Sequence, residues 1–288
     1  MPKRKFSPEI AGFFTLVLVM SVLGYRWEKA NFHWATIILA IFMYLVRGFS
    51  ITVYYHRYAT HKEFKMARSL RTVMAVCSTG AILLPVLKWW RRHEDHHQYT
   101  DDPVLDPNCA GQPRAAWWEG FKAFIDVHIG QVICSRYQDR PVEPGEKIDS
   151  IEIWQNKWYW PLALTMAFLL PTVIAWTWGD AVGGLLVAGF MPTGLQYNGA
   201  FLVNSGAHSS LFGRKSGHWS SATNLVIWGW QLPISVLFII LSLGEVLGHE
   251  VHHERPGKWD TGWKWVNPTS IFILGLKRLG LVWGLREF

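Results

Sequence analysis

Nine of the twelve histidines in this 288-residue chain lie in four short stretches, and imidazole is the commonest metal-ligating side chain. The stretches are His56-Arg-Tyr-Ala-Thr-His61, His93-Glu-Asp-His96-His97, Asn204-Ser-Gly-Ala-His208 and His249-Glu-Val-His252-His253. His93, His96 and His97 stand at i, i+3 and i+4, the spacing that sets side chains on one helix face. His249, His252 and His253 repeat the pattern. His56 and His61 are five apart, about 140° round an α-helix, so they could serve two different centres. Imidazole binds metal when neutral, near or above its ordinary pKa of about 6.5. Nine imidazoles exceed what one ion accepts, whereas two ions with four or five ligands each would use them all. Haem would take one or two axial histidines. A hydrolytic zinc site keeps about three protein ligands and an open position. A redox-active dinuclear centre accounts best for so many, with zinc as the competing metal. One HxxHH alone could be a solvated helix face. Two of them plus an HxxxxH, each beside an apolar run, are not explained that way.

Those apolar runs must position the histidines. Half of the residues are hydrophobic and 15% are aromatic, with 18 tryptophans, which points to a membrane protein with rings at the lipid interface. The net charge of +7 lies mostly outside the runs, and nothing resembles a nucleic-acid module. Attraction to anionic headgroups or to a phosphate-bearing substrate is the better reading of the charge. Cys77, Cys109 and Cys134 show no CxxC spacing and suggest neither a disulfide framework nor a thiolate site.

Ser7-Pro8-Glu9 reads as a helix start, and the basic N-terminus with its apolar run reads as an uncleaved first membrane helix. Spans are expected over about 10–24, 34–55, 160–178 and 181–203, with a polar turn from Gly24 to His33. The second would be about 33 Å long, enough to cross a core of about 30 Å. Arg47 inside it reads as a snorkelling anchor or the partner of a buried acid. Val73–Leu87 is too short to span and reads as a buried or interfacial helix, and 139–147 reads as a loop. Four spans put 56–159 and 204–288 on one side, where Lys and Arg concentrate, whereas the other side holds Arg26 and Lys29. The fold expected is all-α: four transmembrane helices and a cytosolic helical cap, forming a single domain over 1–288. All four histidine stretches share the cytoplasmic face only if the apolar run 225–247, interrupted at Gln231-Leu-Pro233, does not cross.

The HxxxxH, HxxHH and HxxHH boxes at these separations resemble the membrane-bound fatty acyl desaturases, in particular the Δ9, stearoyl-CoA-desaturase-like branch. The likeness runs from about Phe49 to Leu285 and includes Phe49-Ser-Ile-Thr-Val-Tyr-Tyr-His-Arg-Tyr-Ala-Thr-His-Lys, Leu202-Val-Asn-Ser-Gly-Ala-His208, Gly244-Glu245, Asn267-Pro268-Thr269 and Leu279-Gly280-Leu281. It implies two iron ions held by His56, His61, His93, His96, His97, His208, His249, His252 and His253, with Asn204 reaching one through water. The implied reaction uses O₂ and two electrons to place a cis double bond in a saturated acyl chain. A related di-iron hydroxylase or oxidase is the alternative, and a metal-handling membrane protein a more distant one, since its ligands would lie mid-bilayer.

Departures from the family pattern bear on substrate more than on metal. Tyr54 stands where Gly is frequent and is a candidate for shaping the acyl tunnel, or else a packing residue. Glu94 and Glu250 stand within the second and third boxes and could orient imidazoles or be solvated. Asp101, Asp102 and Asp106 read as turn-shaping residues, His128 as structural, and His33 and His218 as loop or interface residues. Lys88, Arg91, Arg92, Arg114 and Lys122 could hold nucleotide phosphates of an acyl carrier or anchor to lipid. No stretch resembles a fused cytochrome b5 or ferredoxin, so a separate donor of that kind is the expected electron source. The acyl substrate is expected to be CoA-, lipid- or carrier-linked, with membrane lipid as the other partner.

Overall fold

The computed structural model describes residues 4–109, 117–135, 137–141, 148–208, 213–214, 222–225 and 232–287. Arg114, His218, Gln231 and residues 142–147 of the expected loop lie outside the described residues. The described chain is mostly helical, and its only strands among those residues are three antiparallel pairs of two residues each. Helix α1 is Pro8–Ala30, and α2 is Trp34–Phe49 continued without a break by a π-helical stretch, Ser50–Thr60. Two cap-region helices follow, α3 (Arg68–Thr79) and α4 (Val86–Gln98), then α5 (Trp117–Ile125) and α6 (Ser150–Lys157). Helix α7 runs through Tyr159–Trp176, with a π-helical turn at Thr165–Leu169. Helix α8 joins Ala181–Leu185, a π-helical turn at Leu186–Phe190 and Met191–Gly206. The remaining helices are α9 (Leu232–Leu241), α10 (His249–Glu254) and α11 (Pro268–Arg278).

Helices α1, α2 with its π-helical extension and α7 are long and apolar enough to cross a membrane. Helix α8, about 39 Å long at 1.5 Å per residue, has the length as well. It is less apolar because it carries Gln196, Asn198 and Asn204. Pro8 opens α1 as expected, but the helix continues to Ala30 instead of turning at Gly24. Its end is fixed where Asn31 N donates to the Trp27 carbonyl and Glu28 Oε1 accepts from His33 N at 2.9 Å. The turn between α7 and α8 ties that end of the bundle together. Gly179 takes φ +85°, and Asp180, almost fully buried, accepts from Trp27 Nε1, Thr36 Oγ1 and Gly183 N. Exposed Trp34 and Trp176 ring this end, and exposed Trp158 and Trp160 mark the other end of α7.

Arg47 neither snorkels nor meets an acid among the described residues. It is fully buried, and its guanidinium donates to the Met166 and Ala167 carbonyls at 2.8 and 2.9 Å and to the Gly189 carbonyl at 3.4 Å. Those carbonyls belong to the π-helical turns of α7 and α8. A π turn shifts the i→i−4 ladder and leaves carbonyls to be satisfied from outside, and one arginine does so for two helices.

The apolar stretch expected not to cross contains α9, ten residues and so about 15 Å long, too short for a bilayer core of about 30 Å. It is not confined to a cap above the spans. Tyr44 Oη donates to the Leu241 carbonyl at 2.7 Å, and Gln196 Nε2 donates to the Tyr44 carbonyl at 2.8 Å, so α9 ends against the middle of α2 and α8. Gly199 makes this possible, because a Cβ there would overlap the Leu241 carbonyl. The chain then reverses through Gly244 at φ +90°, held by Asn267 Nδ2 donating to the Gly244 carbonyl at 2.8 Å, and so delivers α10 to the site. Val73–Leu87 is likewise not one helix: α3 ends at Thr79, and Ile82 and Leu84, both at positive φ, turn the chain into α4.

Replacing Gly199 by Ala is expected to displace α9 and cost about 1–3 kcal/mol, the usual penalty of overpacking. Gly12→Ala, where an added Cβ meets nothing within 4 Å, should leave stability unchanged. Thermal unfolding of the two variants in detergent checks the difference.

Candidate metal centre

The four histidine stretches converge. His56, His61, His93, His97 and His252 form one group and His96, His208, His249 and His253 a second, with one ring nitrogen from each residue lying within 4.8 Å of the others in its group. Each HxxHH box is divided between the groups. Helix α4 sends His93 and His97 to the first and His96 to the second, whereas α10 sends His252 to the first and His249 and His253 to the second. The division bridges the groups: the rings of His97 and His253 stack at 4.2 Å.

The expectation that His56 and His61 serve separate centres is overturned by the π-helical stretch. With i→i+5 hydrogen bonding, here His61 N to the His56 carbonyl at 3.1 Å, each turn takes up more residues than in an α-helix, so positions five apart come round toward one face. Both imidazoles therefore enter the same group. His208 follows directly on α8, which ends at Gly206.

The protons available do not satisfy these nitrogens. His56 Nδ1 faces Glu245 Oε2 at 2.5 Å and His96 Nδ1 faces Asp106 Oδ1 at 2.8 Å, which places a proton on Nδ1 and leaves each Nε2 a bare acceptor. Yet His56 Nε2 lies 2.9 Å from His252 Nε2. His208 Nε2 lies 3.2 Å from His96 Nε2 and 3.0 Å from His249 Nε2, and one hydrogen can serve only one of those contacts. His93 Nε2 has the same deficit, 3.0 Å from His61 Nε2 and 3.2 Å from His97 Nε2. His253 Nε2 is buried without a hydrogen-bond partner among the described residues. Convergent lone pairs with too few protons are the arrangement that a bound cation stabilises, so the donor set fits two metal ions.

Burial keeps the donors in their ligating form. Removal from water, with neighbouring imidazoles adding to it, holds His61, His93, His97, His252 and His253 well below the ordinary histidine value and lowers His249 to about 3. Burial alone would raise the Glu245 carboxyl, but the Arg57 guanidinium and the His56 imidazole hold it down to about 2. Arg57 donates through Nε to Glu245 Oε1 at 3.1 Å and through Nη1 to the Trp259 carbonyl at 2.9 Å, fastening the first box to the segments on either side of the third.

The profile of the family described as fatty acid desaturase matches residues 32–258, more than three quarters of the chain. The chain belongs to the fatty acid desaturase family. Among its relatives, a probable acyl-CoA desaturase of Schizosaccharomyces pombe is 29% identical over 88% of this chain and 49% of its own length. Stearoyl-CoA desaturase of Homo sapiens is 27% identical over 86% of this chain and 65% of its own. Delta(9)-fatty-acid desaturase fat-6 of Caenorhabditis elegans is 27% identical over 87% and 70%. The chain thus spans about half the length of the yeast relative and about two thirds of the other two.

Other residues singled out in the sequence fall in different places. Tyr54 is fully buried and donates to Glu152 Oε1 at 3.0 Å, with its ring stacked on Tyr58. Asn204 lies in the last turn of α8, four residues before His208, and makes no hydrogen bond to the imidazoles among the described residues. His128 is held by Ser205 Oγ at 2.9 Å and stacks on Phe124, apart from both groups. Glu94 meets Trp90 and Arg140, and Glu250 accepts from Asn224 at 2.7 Å, so these contacts do not orient imidazoles. That work falls to Glu245 and Asp106. Asp106 also shapes its turn as expected, accepting from Asn108 N. Lys88 and Arg92 share the carboxylate of Asp139, and Arg91 is buried. A contact missed in the sequence is Trp89, four residues before His93 on α4, whose indole stacks on that imidazole at 4.8 Å. The i, i+4 spacing was the available signal.

Asp106→Asn is expected to weaken metal binding at the four-imidazole group about 10–100-fold, and Glu245→Gln to do the same at the five-imidazole group. At limiting metal each variant should retain one ion per chain instead of two, as measured by elemental analysis. Glu245→Gln should also lower stability by about 3–5 kcal/mol, because it removes the carboxylate hydrogen-bonded to the buried Arg57 and leaves it only the more distant Glu63 at 3.6 Å.

Proposed function

We propose that this chain is a membrane-bound, O₂-dependent di-iron acyl desaturase that introduces a cis, Δ9-type double bond into a saturated acyl chain. The observation that carries the reading is the convergence of nine buried or half-buried imidazoles in groups of five and four, each group with one histidine fixed by a carboxylate. Two irons bound there would supply the oxidising power that breaking an unactivated C–H bond requires. The overall change removes two hydrogens from adjacent acyl carbons. O₂ takes them up together with two electrons and two protons and leaves as two waters.

The protein's own contribution is positional. Glu245 and Asp106 hold protons on Nδ1 of His56 and His96 and so aim Nε2 at the centre. Trp89 covers His93, and the depressed imidazoles stay unprotonated at neutral pH. Asn204, beside His208, completes the four-imidazole group through a water. The site's burial keeps bulk water from an oxidising centre. Tyr54, whose phenol is tied to Glu152, bounds the space beside the first box, and the acyl chain is placed by apolar walls, a positioning effect.

In this reading α1, α2, α7 and α8 cross the bilayer, α9 enters without crossing, and the histidines lie on the cytoplasmic face, where the basic residues concentrate. The acyl group arrives linked to CoA, a lipid or a carrier protein. A donor of the ferredoxin or cytochrome b5 kind delivers the electrons.

Expression with a compatible electron donor in an iron-replete host fed isotope-labelled saturated fatty acids tests the reading. Labelled cis monoenes with the bond at carbon 9 are expected in the host lipids. Unchanged lipids with a working donor would contradict the proposal, and hydroxy acids would transfer the chain to the hydroxylases.

A further inference from the structure

Helix α11 and its flanks present a surface that the chemistry of the histidine site does not use. The inner side of α11 packs on the last part of α2. Phe272 stacks on Phe49 with ring centroids 4.4 Å apart, Thr269 Oγ1 lies 2.9 Å from Thr52 Oγ1, and Ile273 and Leu276 are buried. Phe49 and Thr52 lie within the apolar helix Trp34–Thr60 just ahead of His56, so α11 sits beside the histidine-bearing end of a candidate membrane span.

The outer side is apolar and uncovered. Trp265 and Val266 before the helix are 70% and 57% exposed, Ile271 within it 48%, and Leu279 after it 74%. Trp283, also exposed, stands opposite Lys65 in a two-residue strand pair. Around these side chains lie Lys65, Lys277 and Arg278, all exposed and without a carboxylate partner among the described residues. Several cations elsewhere on the histidine-bearing side are paired instead, Lys88 and Arg92 with Asp139, Arg140 with Glu94 and Lys264 with Asp260.

Large rings and aliphatic side chains next to unpaired cations, at the level where a span leaves the hydrocarbon, suit an anionic lipid surface. The rings and chains enter the acyl boundary and the cations stay among the phosphates. We propose that α11, with Trp265, Val266, Leu279 and Trp283, is an in-plane anchor that docks on the anionic leaflet of the bilayer crossed by the chain. The anchor rests on the membrane-crossing part of the proposed function. By holding α11 in the interface it would also hold Asn267, whose side chain fixes the Gly244 turn that leads into the third histidine box.

Photo-crosslinking of the full chain in nanodiscs tests this. With p-benzoylphenylalanine in place of Leu279, in discs of phosphatidylcholine with a minority of phosphatidylglycerol, illumination should give lipid adducts. Phosphatidylglycerol should be over-represented about threefold or more relative to the disc composition. The triple variant Lys65→Gln, Lys277→Gln, Arg278→Gln should keep the adducts and lose the enrichment. The same probe at Leu18, exposed on α1, is the control for membrane insertion. Lipid adducts at 18 without any at 279, or adducts at 279 with no anionic preference, would overturn the anchor. Absence of lipid adducts at both positions would overturn it together with the membrane-crossing reading.

Discussion

The structure depends on holding nine imidazoles together, most of them buried, with their ring nitrogens converging in two groups. Nitrogens about 3 Å apart and short of protons repel one another and forgo hydrogen bonds that water would have given them, and burying such groups unsatisfied costs free energy at every one. Only a cation in each group turns that cost into attraction. The architecture around the site can be understood as what prevents the cluster from relaxing apart before the cations bind.

Three devices do this. The π-helical end of α2 rotates His61 onto the face of His56, which an α-helix would not do. The paired HxxHH helices α4 and α10 each contribute to both groups, so neither centre can separate from the other without unfolding a helix. The buried Arg57–Glu245–His56 network fixes the first box to the segment leading into the third, and Asp106 fixes the second. At the opposite end Asp180 gathers α1, α2 and the α7–α8 turn, while Arg47 caps the carbonyls that two π turns release midway. The polar interactions in the apolar bundle are thus few, buried and each shared between helices, as expected where no water can replace them.

Much of the site was legible in the sequence because its ligands come in local, periodic boxes. All nine histidines converge, and the HxxHH spacing does mark one face of a helix. Their allocation was not legible. The inference from 140° assumed α-helical geometry, and no local feature of Ser50–Thr60 announces a π-helix. Glu94 and Glu250 drew attention by lying inside the boxes, whereas Glu245 faces His56 across 189 positions of sequence and Asp106 reaches His96 through a turn. Contacts of that kind are set by tertiary packing. In the fold, three long apolar helices were evident from hydropathy. The end of α1 was misplaced because Trp27 and Glu28 are held by partners beyond the helix. Arg47 was misread because its acceptors are backbone carbonyls, which leave no trace in side-chain pattern.

Two irons held by the two imidazole groups would sit in different nitrogen environments. Mössbauer spectroscopy of protein loaded with ⁵⁷Fe, combined with elemental analysis, tests it most directly. Two irons per chain are expected, giving two high-spin nitrogen-ligated signals of equal area, one from the group of five imidazoles and one from the group of four. A single iron site, or zinc bound in preference at one ion per chain, would contradict it.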